Sequence, residues 1–175
     1  TEDEAVADGF SILFLDTNIH EHSGVIEFPV GQNYESGLVN NSIGVAFPYY
    51  TYGKKNIELT WDGSAVDKGV FELSSPFDSV STLTPVSRET IDWPNQHTWQ
   101  TINVKLAKDS LDTNLIYATV KLNSVEILKD VVINTSSPDC SSIFNNFRIQ
   151  ISGRAGNSTM DLYLDNVTLQ FNEDQ

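Results

Sequence analysis

The stretch Phe147-Arg148-Ile149-Gln150-Ile151 alternates apolar and polar residues without a break. That two-residue period decides the fold class. In an extended chain successive side chains point to opposite faces, so Phe147, Ile149 and Ile151 share one face while Arg148 and Gln150 share the other, as in a half-buried strand. The same stepping recurs upstream, where Ile102, Val104 and Leu106 alternate with polar Asn103 and Lys105 and Trp99 leads into the run. This reading places Trp99 in the core. Further short segments rich in β-branched and aromatic residues occur at 10–15, 25–30, 42–50, 56–61, 70–73, 115–122, 125–133 and 161–171. Clusters of Gly, Pro, Asn, Asp and Ser separate them, and Asn123-Ser124 fits a two-residue hairpin between 120–122 and 125–127. Roughly ten strands with no helix between them predict an all-β fold, an antiparallel β-sandwich.

Within 161–171 the alternation slips: Leu162 and Leu164 are in one phase, Val167, Leu169 and Phe171 in the other. A bulge at Asp165-Asn166 would keep both halves facing the core. Residues 76–94 are the least regular and read as a long loop. No internal repeat or linker divides the chain, so residues 1–175 are taken as one domain.

Composition narrows the partners. The chain of 175 residues has 24 acidic and 10 basic side chains, a net charge of -14. Nucleic acid and anionic membrane surfaces both require a basic surplus, which is absent. Strongly anionic polysaccharides are disfavoured on the same ground. Cys140 is the sole cysteine, which excludes an internal disulfide and any Cys-based metal centre within one chain. No apolar run approaches the roughly 18 residues of a membrane-spanning helix. Thr1 to Ala7 are acidic and lack the features of a signal peptide, so the chain reads as a mature or excised product, and the expectation is a domain of a larger secreted or surface protein.

Three segments, in order, resemble the concanavalin A-like lectin and glucanase superfamily, which includes legume-type lectins and laminin-G-like modules. Ala7-Asp8-Gly9-Phe10-Ser11-Ile12-Leu13-Phe14 is similar to the lectin "ADG" strand. Asn41-Ser42-Ile43-Gly44-Val45-Ala46-Phe47-Pro48-Tyr49-Tyr50 resembles the strand written NSIGVEFDTY. The run from Phe147 to Asn157, followed by Leu162-Tyr163-Leu164-Asp165-Asn166-Val167, is similar to the family's closing FGFSARTGG…HYIDNV hairpin. The resemblance spans roughly residues 7 to 171 and implies a jelly-roll sandwich that binds carbohydrate. It also implies a departure. The Glu and Asp that help ligate the lectin metal pair fall at Ala46 and Pro48 here, so that site is expected to be lost. Asp161 and Asp165, with Asp16 and Asn18, remain as weak candidates for a structural calcium elsewhere.

Candidate binding residues follow from this chemistry. Asp8, beside Gly9 at a strand entrance, can accept two sugar hydroxyls through charge-assisted hydrogen bonds; the plain alternative is a cap in an acidic terminus. Gly153, Arg154 and Asn157 belong to a polar turn whose glycines permit close approach of a ligand, the alternative being an ordinary hairpin connection. If both segments serve one ligand, they must lie at the same end of the sandwich. Trp93, Tyr50 and Tyr52 are the candidate stacking aromatics, against core packing. His20 and His22 flank Glu21 in a spacing open to zinc, but a solvated loop is the plainer reading. No strand has the paired-carboxylate spacing of a glucanase; Glu58 to Asp62 is nearest and lacks a third carboxylate. The expected function is a non-catalytic module binding a neutral glycan, extracellular or at the cell surface. The alternatives are an adhesion or structural domain binding protein, and a polysaccharide-degrading enzyme.

Overall fold

The computed structural model describes residues 9–24, 37–48, 55–71, 99, 101–136, 141–154, 164–168 and 170. The expected strand at 25–30 and loop at 76–94, and Cys140, lie outside the described residues. The described chain forms β1 (Gly9–Asp16), α1 (Thr17–His20), β2 (Ser42–Pro48), β3 (Lys55–Trp61), β4 (Ser64–Phe71), β5 (Ile102–Lys108), β6 (Leu115–Leu122), β7 (Val125–Asn134), a 3-10 turn (Ser141–Phe144) and β8 (Phe147–Arg154). The strands make a five-stranded sheet, β4-β3-β2-β1-β8, and a three-stranded sheet, β5-β6-β7. Every adjacent pair is antiparallel, so the protein is all-β.

The registers explain why the two sheets share a core. Phe10 lies opposite Phe47, Ile12 opposite Val45 and Phe14 opposite Ile43. Continuing across the sheet, Leu59 faces Val45 and Trp61 faces Ile43, while Ile151 and Ile149 flank β1 from β8. These inward side chains meet Ile116, Ala118, Val120 and Leu122 of β6 and Ile127 and Ile133 of β7 in one apolar cluster. Phe10 and Phe47 stack with centroids 4.4 Å apart. A two-layer, sandwich-like arrangement follows from period-2 patterning on both sheets.

β1 is buried on its second face as well. Ser11, Leu13 and Leu15 point outward and are fully buried, the two leucines clustering with Val39. The chain at 37–41 crosses this face, held where Thr60 Oγ1 donates to the Gly37 carbonyl at 2.8 Å and Ser42 Oγ donates to the Val39 carbonyl at 2.8 Å. A continuous apolar run, Ile12-Leu13-Phe14-Leu15, is the sequence mark of a strand covered on both sides.

Three expectations are corrected. Trp99 is 67% exposed, and β5 begins only at Ile102, because Trp99 precedes the ladder and so is not bound to its inward phase. The closing strand at 161–171 is not formed among its described residues: 164–168 and 170 carry no strand, and Leu164 and Val167 are 54% and 71% exposed. Asn166 adopts a left-handed φ of 52° and its N–H donates to Asp165 Oδ1 at 2.8 Å, so the chain turns locally where a bulge was expected. β4 runs from Ser64, well before the expected 70–73, because Asp62-Gly63, at φ 47° and 71°, forms a two-residue hairpin that pairs Trp61 with Ser64. The Asn123-Ser124 hairpin forms as expected, with Leu122 opposite Val125.

Gly44 is required by crowding. A Cβ there would strike Thr60 Oγ1, come within 2.8 Å of the Gly37 carbonyl oxygen and 3.2 Å of Leu13 Cδ2. Gly44→Ala is expected to destabilise the protein by about 1–3 kcal/mol, the usual cost of overpacking a filled site. Urea denaturation of the two proteins measures this; equal midpoints would mean that the 37–41 segment does not cover the sheet.

Candidate functional site

β1 is hydrogen-bonded on both edges, and its first residue therefore aligns two distant segments. Gly9 lies opposite Pro48 of β2 and Arg154 of β8, and Phe10 lies opposite Phe47 and Gly153. Gly9 has a φ of 125°, a conformation that side-chain-bearing residues rarely adopt. Among the residues expected to bind a ligand, Gly9, Gly153 and Arg154 thus share one end of the five-stranded sheet. Gly153 and Arg154 close β8, so any turn starts later than expected. Asp8, Tyr50, Tyr52, Trp93, Asn157 and Asp161 lie outside the described residues. In sequence Asp8 adjoins Gly9, Tyr50 follows Pro48 by two positions and Asn157 follows Arg154 by three.

The second sheet has a corresponding end. Ser142 Oγ donates to Asp16 Oδ2 at 2.8 Å, which ties the 3-10 turn to the far end of β1. Lys108 Nζ donates to Asn145 Oδ1 at 3.3 Å and lies 5.3 Å from the Phe144 ring centroid, which ties the same region to the end of β5. The opposite end of the second sheet, where Ile102, Leu122 and Val125 align, therefore points away from the 3-10 turn, as Gly9, Pro48 and Arg154 do. There Thr101 N–H donates to Asn123 Oδ1 at 3.0 Å and Asn123 N–H returns a bond to the Thr101 carbonyl at 2.8 Å. Trp99, two residues before Thr101 in sequence, is exposed.

Across the outward side of the five-stranded sheet, Ser152, Ser11, Ala46 and Glu58 form one row. Ala46 is fully buried beneath the crossing segment, its Cβ against the position a Gly37 side chain would take, at 3.4 Å. Asp165 Oδ1 is engaged by the Asn166 N–H, and no group of three His, Cys, Asp or Glu among the described residues could hold a metal ion. His20 Nε2 lies 2.7 Å from the Asn40 carbonyl oxygen, which can only accept, so this nitrogen carries the proton.

The end of the molecule near α1 is occupied by its own hydrogen bonds. Asp16, 1% exposed, caps α1 by accepting the Asn18 N–H at 2.9 Å while accepting Ser142 Oγ. Thr17 Oγ1 donates to the Asn146 carbonyl at 3.0 Å, and the Arg148 guanidinium donates to the carbonyls of Gly24 and His20 at 2.6 and 3.3 Å. These contacts join α1, the 3-10 turn and β8.

No protein-family model, no curated protein and no solved structure matches this chain.

The β5–β6 turn provides a titratable marker of this end. Asp109 accepts the N–H groups of Asp112 and Leu111 at 2.9 and 2.8 Å and the Tyr117 hydroxyl at 3.0 Å. These bonds, the Asp112 N–H foremost, favour the carboxylate and lower its pKa, while the bond to Asp109 raises that of Tyr117. A lowered acid stabilises the fold above its unfolded pKa and loses that contribution as pH falls through the folded value. A raised phenol contributes below its unfolded pKa and loses it as pH rises through the folded value. Carbon-13 NMR of labelled tyrosine should find Tyr117 titrating above the ordinary phenol range and returning toward it in Asp109→Asn; an unshifted Tyr117 in the parent would contradict the pairing.

Proposed function

We propose that this protein is a non-catalytic carbohydrate-binding module, a jelly roll of the concanavalin A-like type, acting outside the cell or at its surface as part of a larger protein. One observation carries the reading: Gly9 pairs with Pro48 and Arg154 at once. In support, β1, β2 and β8, which come from the three segments that resemble lectin motifs, are neighbours in one sheet. Asp8 supplies a carboxylate for sugar hydroxyls, the residues from Gly153 to Asn157 supply backbone and amide groups, and an aromatic stacks on a C–H face of the sugar. A net charge of -14 favours neutral over anionic glycans.

The non-catalytic part of the reading rests on the fate of the nearest carboxylate pair. Glu58 lies on β3 opposite Ala46, whereas Asp62 lies beyond the strand in the hairpin, its Oδ1 accepting the Asn41 N–H at 2.9 Å. Asp62 therefore serves a turn, and no second carboxylate stands beside Glu58 on β3 to complete an acid and nucleophile pair.

A glycan array probed with the purified chain tests the proposal. At least one neutral oligosaccharide should bind, binding should survive EDTA, and Asp8→Ala should weaken it about ten-fold, the loss of one charge-assisted hydrogen bond, without lowering the melting temperature. Binding to no glycan would overturn the reading in favour of a protein-binding adhesion domain. Shortening of a bound polysaccharide would overturn its non-catalytic part.

A further inference from the structure

Two tryptophans among the described residues differ sharply in setting. Trp61 is 8% exposed and packs in the core on β3, whereas Trp99 is 67% exposed at the entrance to β5. An indole in water forgoes the largest apolar gain any side chain offers. Thr101, two residues on, exchanges two hydrogen bonds with Asn123, which anchors the entrance of β5 to the β6–β7 hairpin. Trp99 thus lies two positions in sequence from an anchored strand end.

The surroundings select the ligand. The adjacent hairpin residues Asn123 and Ser124 are exposed and uncharged. The nearest charges on the hairpin strands are paired within the chain, Lys121 Nζ and Lys129 Nζ lying 3.5 and 3.6 Å from the two oxygens of the single Glu126, which leaves one net positive charge. An exposed aromatic face, close in sequence to a strand end that joins a hairpin of uncharged hydrogen-bonding residues, suits a neutral hexopyranose unit whose ring presents C–H bonds on one side and hydroxyls at its rim. Trp99 precedes the end of β5 that lies away from the 3-10 turn, as Gly9, Pro48 and Arg154 do.

We infer that Trp99 is the stacking platform for a neutral hexopyranosyl unit, with Ser124 at its edge, at the end of the molecule that holds Gly9 and Arg154. This inference rests on the carbohydrate-binding reading and assigns the aromatic role to Trp99, a residue the sequence pattern places in the core. Titration of the purified chain with neutral gluco-, manno- and galacto-oligosaccharides, followed by calorimetry and tryptophan emission, tests it. The parent should bind one series and its emission should change with the same midpoint. Trp99→Ala should weaken binding about ten-fold, consistent with loss of one aromatic contact, while Trp99→Tyr stays within about three-fold of the parent. Both variants should melt within about 2 °C of the parent, since truncating an exposed side chain costs little. Unchanged affinity in Trp99→Ala would overturn the assignment and leave the carbohydrate reading intact. Tighter binding of a carboxylated oligosaccharide would overturn the neutral ligand class. No binding by the parent would overturn both.

Discussion

The structure depends on one strand being satisfied on four sides. β1 is hydrogen-bonded to β2 along one edge and β8 along the other, buries Phe10 and Phe14 in the core, and buries Leu13 and Leu15 beneath the 37–41 crossing. Each fully buried leucine or phenylalanine is worth about 1.5–3 kcal/mol. A strand loaded on both faces cannot slip by one residue without exchanging its phenylalanines for its leucines, and the two environments differ in size. The register of Gly9 with Pro48 and Arg154 is therefore set by packing along the length of β1.

This constraint separates the two ends of the molecule chemically. At the α1 end Asp16, Ser142, Thr17 and the two terminal nitrogens of Arg148 bond within the chain, while Arg148 Nε is buried without a hydrogen-bond partner among the described residues. At the other end Gly9, Pro48 and Arg154 align across three strands, and Asp8, Tyr50 and Asn157, which the proposed reading assigns to sugar binding, lie within three positions of them in sequence. The acidic surplus of the chain discriminates against anions without choosing the end.

Much of the fold is legible in the residues. The alternation of Phe147 to Ile151 and of Ile102 to Leu106 becomes β8 and β5, and Asn123-Ser124 becomes the hairpin that its left-handed φ values of 49° and 71° require. β4 was hidden for a physical reason: Ser64-Ala65-Val66 is exposed and lacks an apolar phase, so only the preceding Asp62-Gly63 turn marks it. Trp99 stands three residues before Ile102 and outside β5, so the alternation of that strand does not govern it. Alternation around Val167 likewise has no force where Asn166 turns the chain and satisfies its own N–H locally. Of the candidate site, Gly9, Gly153 and Arg154 were identifiable from the resemblance, but their common end depends on pairings between strands nearly 140 residues apart in sequence, which no local pattern encodes.

The central claim is that ligand chemistry resides at the end of the sandwich-like pair of sheets where β1 begins. Backbone amide chemical shifts, recorded while a bound neutral oligosaccharide is titrated into the labelled chain, test it most directly. The amides of Phe10, Gly153 and Thr101 should shift together with a common saturation midpoint, while those of Asn18, Thr135 and Asn146 stay in place. Shifts concentrated at Asn18 and Asn146, with Phe10 and Gly153 unmoved, would contradict the account.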